Sequence, residues 1–394
     1  MATIAVGTEV QTEEILADER VIDMDQNMRK LDPDTTQFDT YTRRQPSRAA
    51  TREKVNWLEE AYVERILTVG GAAYASGATA IPVVASGDVL AQVNDLVRNM
   101  RNGEMMRVTA VAPTALTVAA TRVGAAAAAA GNSGDKLLIV GPALPQASTL
   151  PAPRYSQRVL GFNYTEIVRT TWQFSGTAAE VELYGGGEDA KEQARKAVEH
   201  KRTWEAIGFF GARDFSTISG SQVGAAGGAI EFIQTNKQNV GGELTSDYLD
   251  LFLATVLAKG SADKVIFTGT VGAYYISRFH RSGQGAFWAP SNERVHGVKV
   301  DGFISGVFGT QVPVVVKKEW ADFPSGANGY NGNLFVLDMA NIERRPLRNR
   351  DTKKISYDIK SLGNGKDAVA GEYFSEQTYT FAQEKTHGLL TGIA

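Results

Sequence analysis

An α+β fold is what the sequence predicts, and three observations carry it. Strand-like and helix-like segments are interleaved without the regular βαβ spacing of a doubly wound sheet. Residues 162–174 alternate with the period of a strand. Residues 188–210 instead repeat their apolar positions at helical spacing. The 394 residues suffice for two or three packed units of roughly 100–200 residues each. With 43% hydrophobic and 22% charged residues, the chain has the composition of a globular protein rather than a disordered one. No stretch approaches the ~18 apolar residues of a membrane span, so no membrane partner is expected. The amino terminus lacks the basic start and apolar core of a signal peptide.

Residues 1–54 are polar and their charge is segregated. Glu9, Glu13, Glu14, Asp18, Glu19, Asp23, Asp25, Asp32, Asp34 and Asp39 are followed by Arg43, Arg44, Arg48, Arg52 and Lys54. Alone, such a segment buries too little apolar surface to offset its ordering entropy. It reads either as an arm held by neighbouring subunits or as a disordered tail. From Gly77 to Pro151 the composition turns to Ala, Val, Gly and Thr, with β-prone runs at Ala80–Val84, Met105–Val111, Leu116–Arg122 and Lys136–Val140. Residues 112–115 suit a hairpin turn, and the Ala125–Ala130 run, bracketed by glycines, reads as a loop. A small all-β insert is expected here.

Phe162, Tyr164, Val168, Thr170, Trp172 and Phe174 share one face of the next strand, with Glu166 and Ile167 as a local break. So aromatic a face needs cover, from its own domain or another chain. After Gly185–Gly187 the helix Glu188–Phe210 would span roughly 35 Å. Thr245–Asp247 can cap a helix running to about Lys259, which Gly260 ends. Lys264–Phe267 is a compact apolar strand and Gly269–His280 a second helix. Strands return at Val298–Ile304, Gln311–Val316, Leu334–Leu337, Lys354–Ile359 and Ser375–Gln383.

Site chemistry is nearly absent. The chain has no cysteine, which excludes disulfides, thiolate nucleophiles and Cys-ligated zinc. Its four histidines, His200, His280, His296 and His387, are scattered, and His200 reads as solvated or interfacial. No phosphate-loop, dinucleotide, zincin, nucleophile-elbow or EF-hand spacing occurs. Gly220–Gly228 reads as a flexible surface loop and Gly185–Gly187 as a hinge. Glu59 and Glu60 are adjacent rather than facing. Arg344, Arg345, Arg348 and Arg350 suit acidic residues of a neighbour better than phosphate, since a net charge of −3 argues against bulk binding of nucleic acid. No catalytic residue, cofactor or metal site is assigned.

Taken together, the segments resemble the major capsid proteins of tailed bacteriophages with the Hong Kong 97-type fold, in the branch with a β-domain inserted near the extended loop. Asp32–Phe38 resembles that family's Pro-x-x-Thr-x-Phe stretch and Asn56–Glu60 its tryptophan–acidic segment. Gln173–Ala178 with the Glu188–Phe210 helix, ending in Glu205-Ala206-Ile207, is similar to its loop-to-spine junction. Phe308-Gly309 before Val312–Val316 resembles a strand of the axial domain. Leu337-Asp338 with Arg344–Arg348, and His387–Leu390, resemble the peripheral return and the end of the fold.

The resemblance implies an N-terminal arm (1–54), the start of the extended loop (55–76), an inserted β-domain (77–151), a return strand (152–184) and a spine helix (185–219). An axial domain (220–340) and a peripheral return (341–394) complete it. It implies a non-enzymatic protein that assembles into hexamers and pentamers of an icosahedral head around double-stranded DNA, put together in the host cytoplasm. It leaves room for decoration, scaffold and portal proteins. Phe162, Tyr164, Trp172, Phe174, Arg43, Arg44, Arg344 and Arg345 are the expected intersubunit contacts. Some relatives crosslink through a Lys and an Asn, but no residue here is assignable to that role. With Met at position 1, no cleaved scaffolding segment is expected. The competing readings are an encapsulin-like nanocompartment shell and an enzyme acting on a polyanionic substrate.

Overall fold

A computed structural model describes residues 36–62, 65–84, 91–112, 117–124, 129–151, 153–181, 188–281, 287–289, 294–295, 298–299, 301–304, 311–326, 329–357 and 367–394. The acidic run through Asp34, the start of the Asp32–Phe38 stretch, residues 113–116, most of the Ala125–Ala130 run, Gly185–Gly187 and Phe308-Gly309 lie outside these residues. The chain divides into two compact units, residues 58–160 and the remainder.

The larger unit is built on two sheets. The first has seven strands in the order Lys237–Gly242, Gly388–Ile393, Leu334–Asp338, Lys264–Thr268, Gln311–Val316, Asp301–Ile304 and Phe287–Ala289. Its central strands alternate between two cores. Val265, Phe267, Phe335 and Leu337 face one, while Ile266, Leu334 and Val336 face the other. A sheet buried on both faces produces continuous apolar runs such as Val265–Phe267. The second core is shared with helices Ser246–Leu257 and Thr270–Arg281, through Leu249, Phe252, Leu253, Val256, Tyr275, Ile276 and Phe279. The Thr245 hydroxyl accepts from the Tyr248 amide as the helix cap, and Gly260, at φ +84°, stands three residues past Leu257.

In the second sheet, strand Ala368–Phe381 is the keystone. Ile342–Pro346 and Lys353–Tyr357 share one of its edges, and Glu166–Ser175 runs antiparallel along the other. The 23-residue helix Glu188–Phe210 covers this sheet with Trp204 and places Phe209 in the first core of the seven-stranded sheet. The helix Gln37–Arg44 adds Phe38 and Tyr41 to that core. Phe38 is fully buried, its ring centroid 4.8 Å from Phe209, 5.4 Å from Tyr379 and 5.9 Å from Phe267. The end of the polar N-terminal segment thus contributes core, through Phe38 and Tyr41. Two aromatics in an eight-residue helix are too few to show a period, but they fill a place in the core.

Gly220–Gly228 is not a flexible loop. Asp214–Ile218 and Ser221–Ala225 form a hairpin whose two turn residues, Ser219 and Gly220, take φ of 51° and 81°, as a type I′ turn requires. Gly228 is there for close approach: a Cβ would lie 2.4 Å from the Ile207 carbonyl oxygen.

In the smaller unit, six strands run in the order Ile66–Thr68, Lys136–Pro142, Asp95–Asn99, Met105–Ala112, Thr117–Arg122 and Ala80–Pro82. Val69 bridges Val83, and the Gly70 and Val84 amides donate to Pro82 and Thr68, so the first and last strands meet and the sheet closes. Closure removes the exposed edges. Leu67, Ile81, Val97, Met106, Val108, Val118, Leu137 and Ile139 fill the interior. The all-β insert thus exists, and its compact unit extends beyond residues 77–151 on both sides. Asp95–Asn99 escaped sequence reading because its inward ends are polar, Asp95 held by Arg154 and Asn99 by Tyr74 and Asp135.

Phe38→Ala should lower the stability of the dissociated subunit by about 3–5 kcal/mol, the usual range for a buried aromatic. Arg44→Ala should stay within about 0.5 kcal/mol. Urea unfolding of the two variants checks the pair, and equal midpoints would refute the placement of the helix.

Candidate subunit interface

The N-terminal helix is tied down by one buried carboxylate. Glu205, on the long helix, accepts from the Phe38 amide at 3.0 Å and from the Lys317 ammonium, which also reaches Gln37 Oε1 at 3.1 Å. Thr36 provides no side-chain cap, so Glu205 takes that role from 167 residues away. Burial dominates its ionisation. With Oε2 unmatched among the described residues, the carboxyl is pushed up to about 7 despite Lys317. A second buried pair joins Lys264 to Asp338 at 3.4 Å, with the Lys264 ammonium 2.6 Å from the Thr386 carbonyl. His387 Nδ1 accepts from the Asp338 amide at 3.0 Å.

The expected aromatic contact face turns inward. Val168 and Trp172 are buried, Thr170 and Phe174 half-buried, and the cover is the chain's own long helix and keystone strand. Trp172 is 5% exposed and packs on Tyr373 at 5.3 Å. It also lies across its strand partner Gly371, where a Cβ would meet the indole at 2.3 Å. The expectation that Trp172 contacts a neighbouring subunit is therefore corrected in favour of the subunit's own packing. His200 is likewise buried rather than solvated, with Nδ1 3.0 Å from Thr170 Oγ1 and Nε2 2.7 Å from Ser375 Oγ. Burial first, and the Arg43 charge second, push it down to about 4. Burial also pushes His387 to about 4.

Phe162 and Tyr164 lie on a separate strand, Val159–Tyr164, and are half-buried. Lys54 sits 4.1 Å and Arg213 4.7 Å from the Phe162 ring, and Tyr164 stacks on Phe215 at 5.1 Å. Asn163 between them points inward, because its amide bridges the Gly227 and Tyr379 carbonyls. The arginines divide. Arg344 is buried, bonded to Asp351 and Gln377, which corrects its assignment to a partner. Arg43 pairs with Asp39 at 2.6 Å and Arg345 with Glu343 at 2.7 Å. Arg44 alone of the four is exposed without an ion pair among the described residues.

Among the described residues, the most exposed large apolar side chains lie elsewhere, at the two ends of the smaller unit. Tyr62 is 99% exposed, Leu150 94% and Tyr155 78%, and Leu58, Val159 and Leu160 are more than half exposed. The two segments run together, since Ser156 donates to the Ala61 carbonyl and Arg158 pairs with Glu60. Sequence reading missed them because they are short and lack a period. Among the described residues, no three His, Cys, Asp or Glu side chains cluster to hold a metal ion.

Two outcomes follow for the dissociated subunit. Trp172→Ala should destabilise folding itself by about 3–5 kcal/mol rather than act on association alone. For pH, the folded histidines are depressed from 6.5 to about 4, so their stabilisation is lost on acidification. Glu205 is raised from 4.5 to about 7, so its contribution moves the opposite way. Between pH 6.5 and 4.5 two histidines oppose one carboxyl. Stability should therefore fall by about 1.4 kcal/mol per unit of acidification, and His200→Gln should flatten that slope. Urea midpoints at pH 5, 5.5 and 6 read both; an unchanged slope in the variant would refute the assignment.

Comparison with known proteins matches this architecture. The family model described as the SU10 major capsid protein matches residues 3–394. The major capsid protein of Pseudomonas phage PaMx41 is 27% identical over 186 residues, spanning 44% of each protein. Among solved structures, a chain from the capsid of the native GTA particle covers 99% of this chain and 100% of its own, with a TM-score of 0.53 at 11% identity. A chain from Mycobacterium phage Bobi has a TM-score of 0.48 at 9% identity, covering 98% and 99%. The GTA likeness bears on the fold, an α+β architecture of the Hong Kong 97 type. With the family match running over nearly every residue, the chain belongs to the SU10 major capsid protein family.

Proposed function

We propose that this chain is the shell-forming subunit of a viral head, self-assembling through hexamers and pentamers into an icosahedral capsid around double-stranded DNA. The family match over residues 3–394 carries the reading. The exposed Leu58, Tyr62, Leu150 and Tyr155 support it, since apolar side chains concentrated on two paired segments suit a surface covered in an assembly. In this reading the seven-stranded sheet with its two helices is the axial domain. The four-stranded sheet with the long helix is the peripheral domain, the paired segments are the extended loop, and the closed six-stranded sheet is the insert. Phe162, Tyr164 and Phe174 remain candidates for contact through their exposed edges. The chain works as a structural protein, with any scaffold, portal or decoration proteins as further partners.

Electron microscopy of the purified protein across a concentration series tests the reading. Closed particles or capsomer rings are expected, while monomers at every concentration would overturn it. Protein cargo instead of nucleic acid in particles from an infected host would favour a nanocompartment. Burying one large apolar side chain contributes about 1.5–3 kcal/mol. Leu150→Ser with Tyr155→Ser should therefore raise the concentration threshold for assembly at least tenfold while leaving the subunit's urea midpoint in place. Unaltered assembly would remove these segments from the interface.

A further inference from the structure

The residues that follow the N-terminal helix lie against the turn after Ile342–Pro346. The Ala50 amide donates to the Pro346 carbonyl and the Arg348 amide to the Ala50 carbonyl, at 2.7 and 2.9 Å. This bridge sets the stretch carrying Arg48 and Arg52 beside the one carrying Arg348 and Arg350, with Arg44 at the end of the preceding helix. Arg44, Arg48, Arg52 and Arg348 are exposed, and none has an ion pair among the described residues. Arg350 is committed to Glu376 and to the face of Phe374. Two shallow grooves flank the bridge. One, of about 350 Å³, is lined by Arg169, Asn349, Arg350, Lys353, Ile355, Glu372 and Phe374. The other, of about 420 Å³, is lined by Thr51, Arg52, Glu53, Lys54 and Leu347. The first sets Lys353 beside Ile355 and Phe374, with Arg169 and Arg350 already paired to Glu372 and Glu376, and the second sets Arg52 and Lys54 around Glu53 and Leu347, a cationic and partly apolar surface that fits an extended acidic peptide.

The same chain contains such a peptide. Residues 1–35 hold nine acidic and three basic residues, with Ile15, Leu16, Val21, Ile22, Met24 and Met28 interspersed. We propose that the cationic surface of Arg44, Arg48, Arg52 and Arg348 receives the acidic segment Glu9–Asp34 of a second copy of the chain. The proposal rests on the assembly reading above and deepens it, naming one surface and its occupant. A segment of one copy on a different surface of the next is a heterologous contact, which propagates around a ring until rotation closes it. These four arginines have no ion pair among the described residues, and an acidic strand supplies them with charge-assisted hydrogen bonds.

Charge reversal in the full-length protein tests this. The first variant carries R44E, R48E, R52E and R348E; the second carries E13K, E14K, D18K and E19K. Each alone is expected to raise the assembly threshold at least tenfold. Mixed in equal amounts they should recover six-membered rings, in which the two variants alternate and each arm meets an opposite charge on the other. Arms that fold back on their own subunit would give no recovery on mixing, which overturns the proposal. In a second arm, a synthetic peptide of residues 1–35 is titrated into the second variant and read by fluorescence anisotropy. Saturable binding is expected, weakened at least tenfold in the variant carrying all eight substitutions. Absent binding overturns the proposal even where shells form, whereas binding without shells leaves it standing and removes the shell reading. Displacement of the peptide by a short DNA duplex at 0.15 M salt, with normal assembly of the first variant, would mean that the surface faces nucleic acid. Circular dichroism melting of each variant verifies that reversal leaves the subunit folded.

Discussion

The larger unit depends on a carboxylate that has been taken out of water. Glu205 joins three stretches that are remote in sequence: the amino end of the Gln37–Arg44 helix, the long helix, and Lys317 beyond the central strand Gln311–Val316. Burying two charges costs several kcal/mol per ion before their attraction returns any of it. Removing one partner leaves the other stranded, so the pair is far more sensitive to a single loss than to joint replacement by apolar residues. Such a pair contributes little net stability and much register. A short helix with no side-chain cap of its own can dock in one place, where its second amide meets Glu205 and Phe38 fills the space between Phe209 and Tyr379.

The same economy governs the keystone strand Ala368–Phe381. It pairs with three other strands and carries an unusual number of buried polar side chains, including Glu372, Ser375, Gln377 and Thr378. Glu372 and Ser375 are satisfied laterally. Ser375 Oγ meets both His200 Nε2 and the Trp204 indole N–H, and Glu372 takes a two-pronged contact from Arg169 plus the Tyr357 hydroxyl. Polar groups buried in this way fix which strand lies beside which, since a slip of one residue would leave several unpaired.

Much of the fold was legible because its elements obey local rules. The long helix, the Thr245-capped helix and the runs Lys264–Phe267 and Gln311–Val316 stand where periodicity and turn residues put them. Alternation in residues 162–174 identified the inward face of Glu166–Ser175, but it could not tell whether another chain or the subunit's own helix would cover it. The register also changes at Thr165, so Asn163 rather than Phe162 or Tyr164 turns inward ahead of it. That inversion depends on Gly227 and Tyr379, which are 64 and 216 residues away. Charge told a similar half-truth. The basic run at Arg344–Arg350 was visible, but which arginines are spent inside the subunit is decided by Asp351, Gln377, Glu343 and Glu376, and only a fold brings those together.

The strand Gly388–Ile393 lies inside the seven-stranded sheet, hydrogen-bonded between Lys237–Gly242 and Leu334–Asp338. Neither core of the larger unit is complete without it, because Leu389 enters one and Leu390 the other. The closed six-stranded sheet, by contrast, draws only on strands between Ile66 and Pro142. During synthesis the residues of the barrel therefore emerge well before Gly388–Ile393, and the body closes only once that strand has arrived. A polypeptide that stops short of Leu389 leaves its central strands open. Each copy of the chain therefore carries two open cores until that strand is in place.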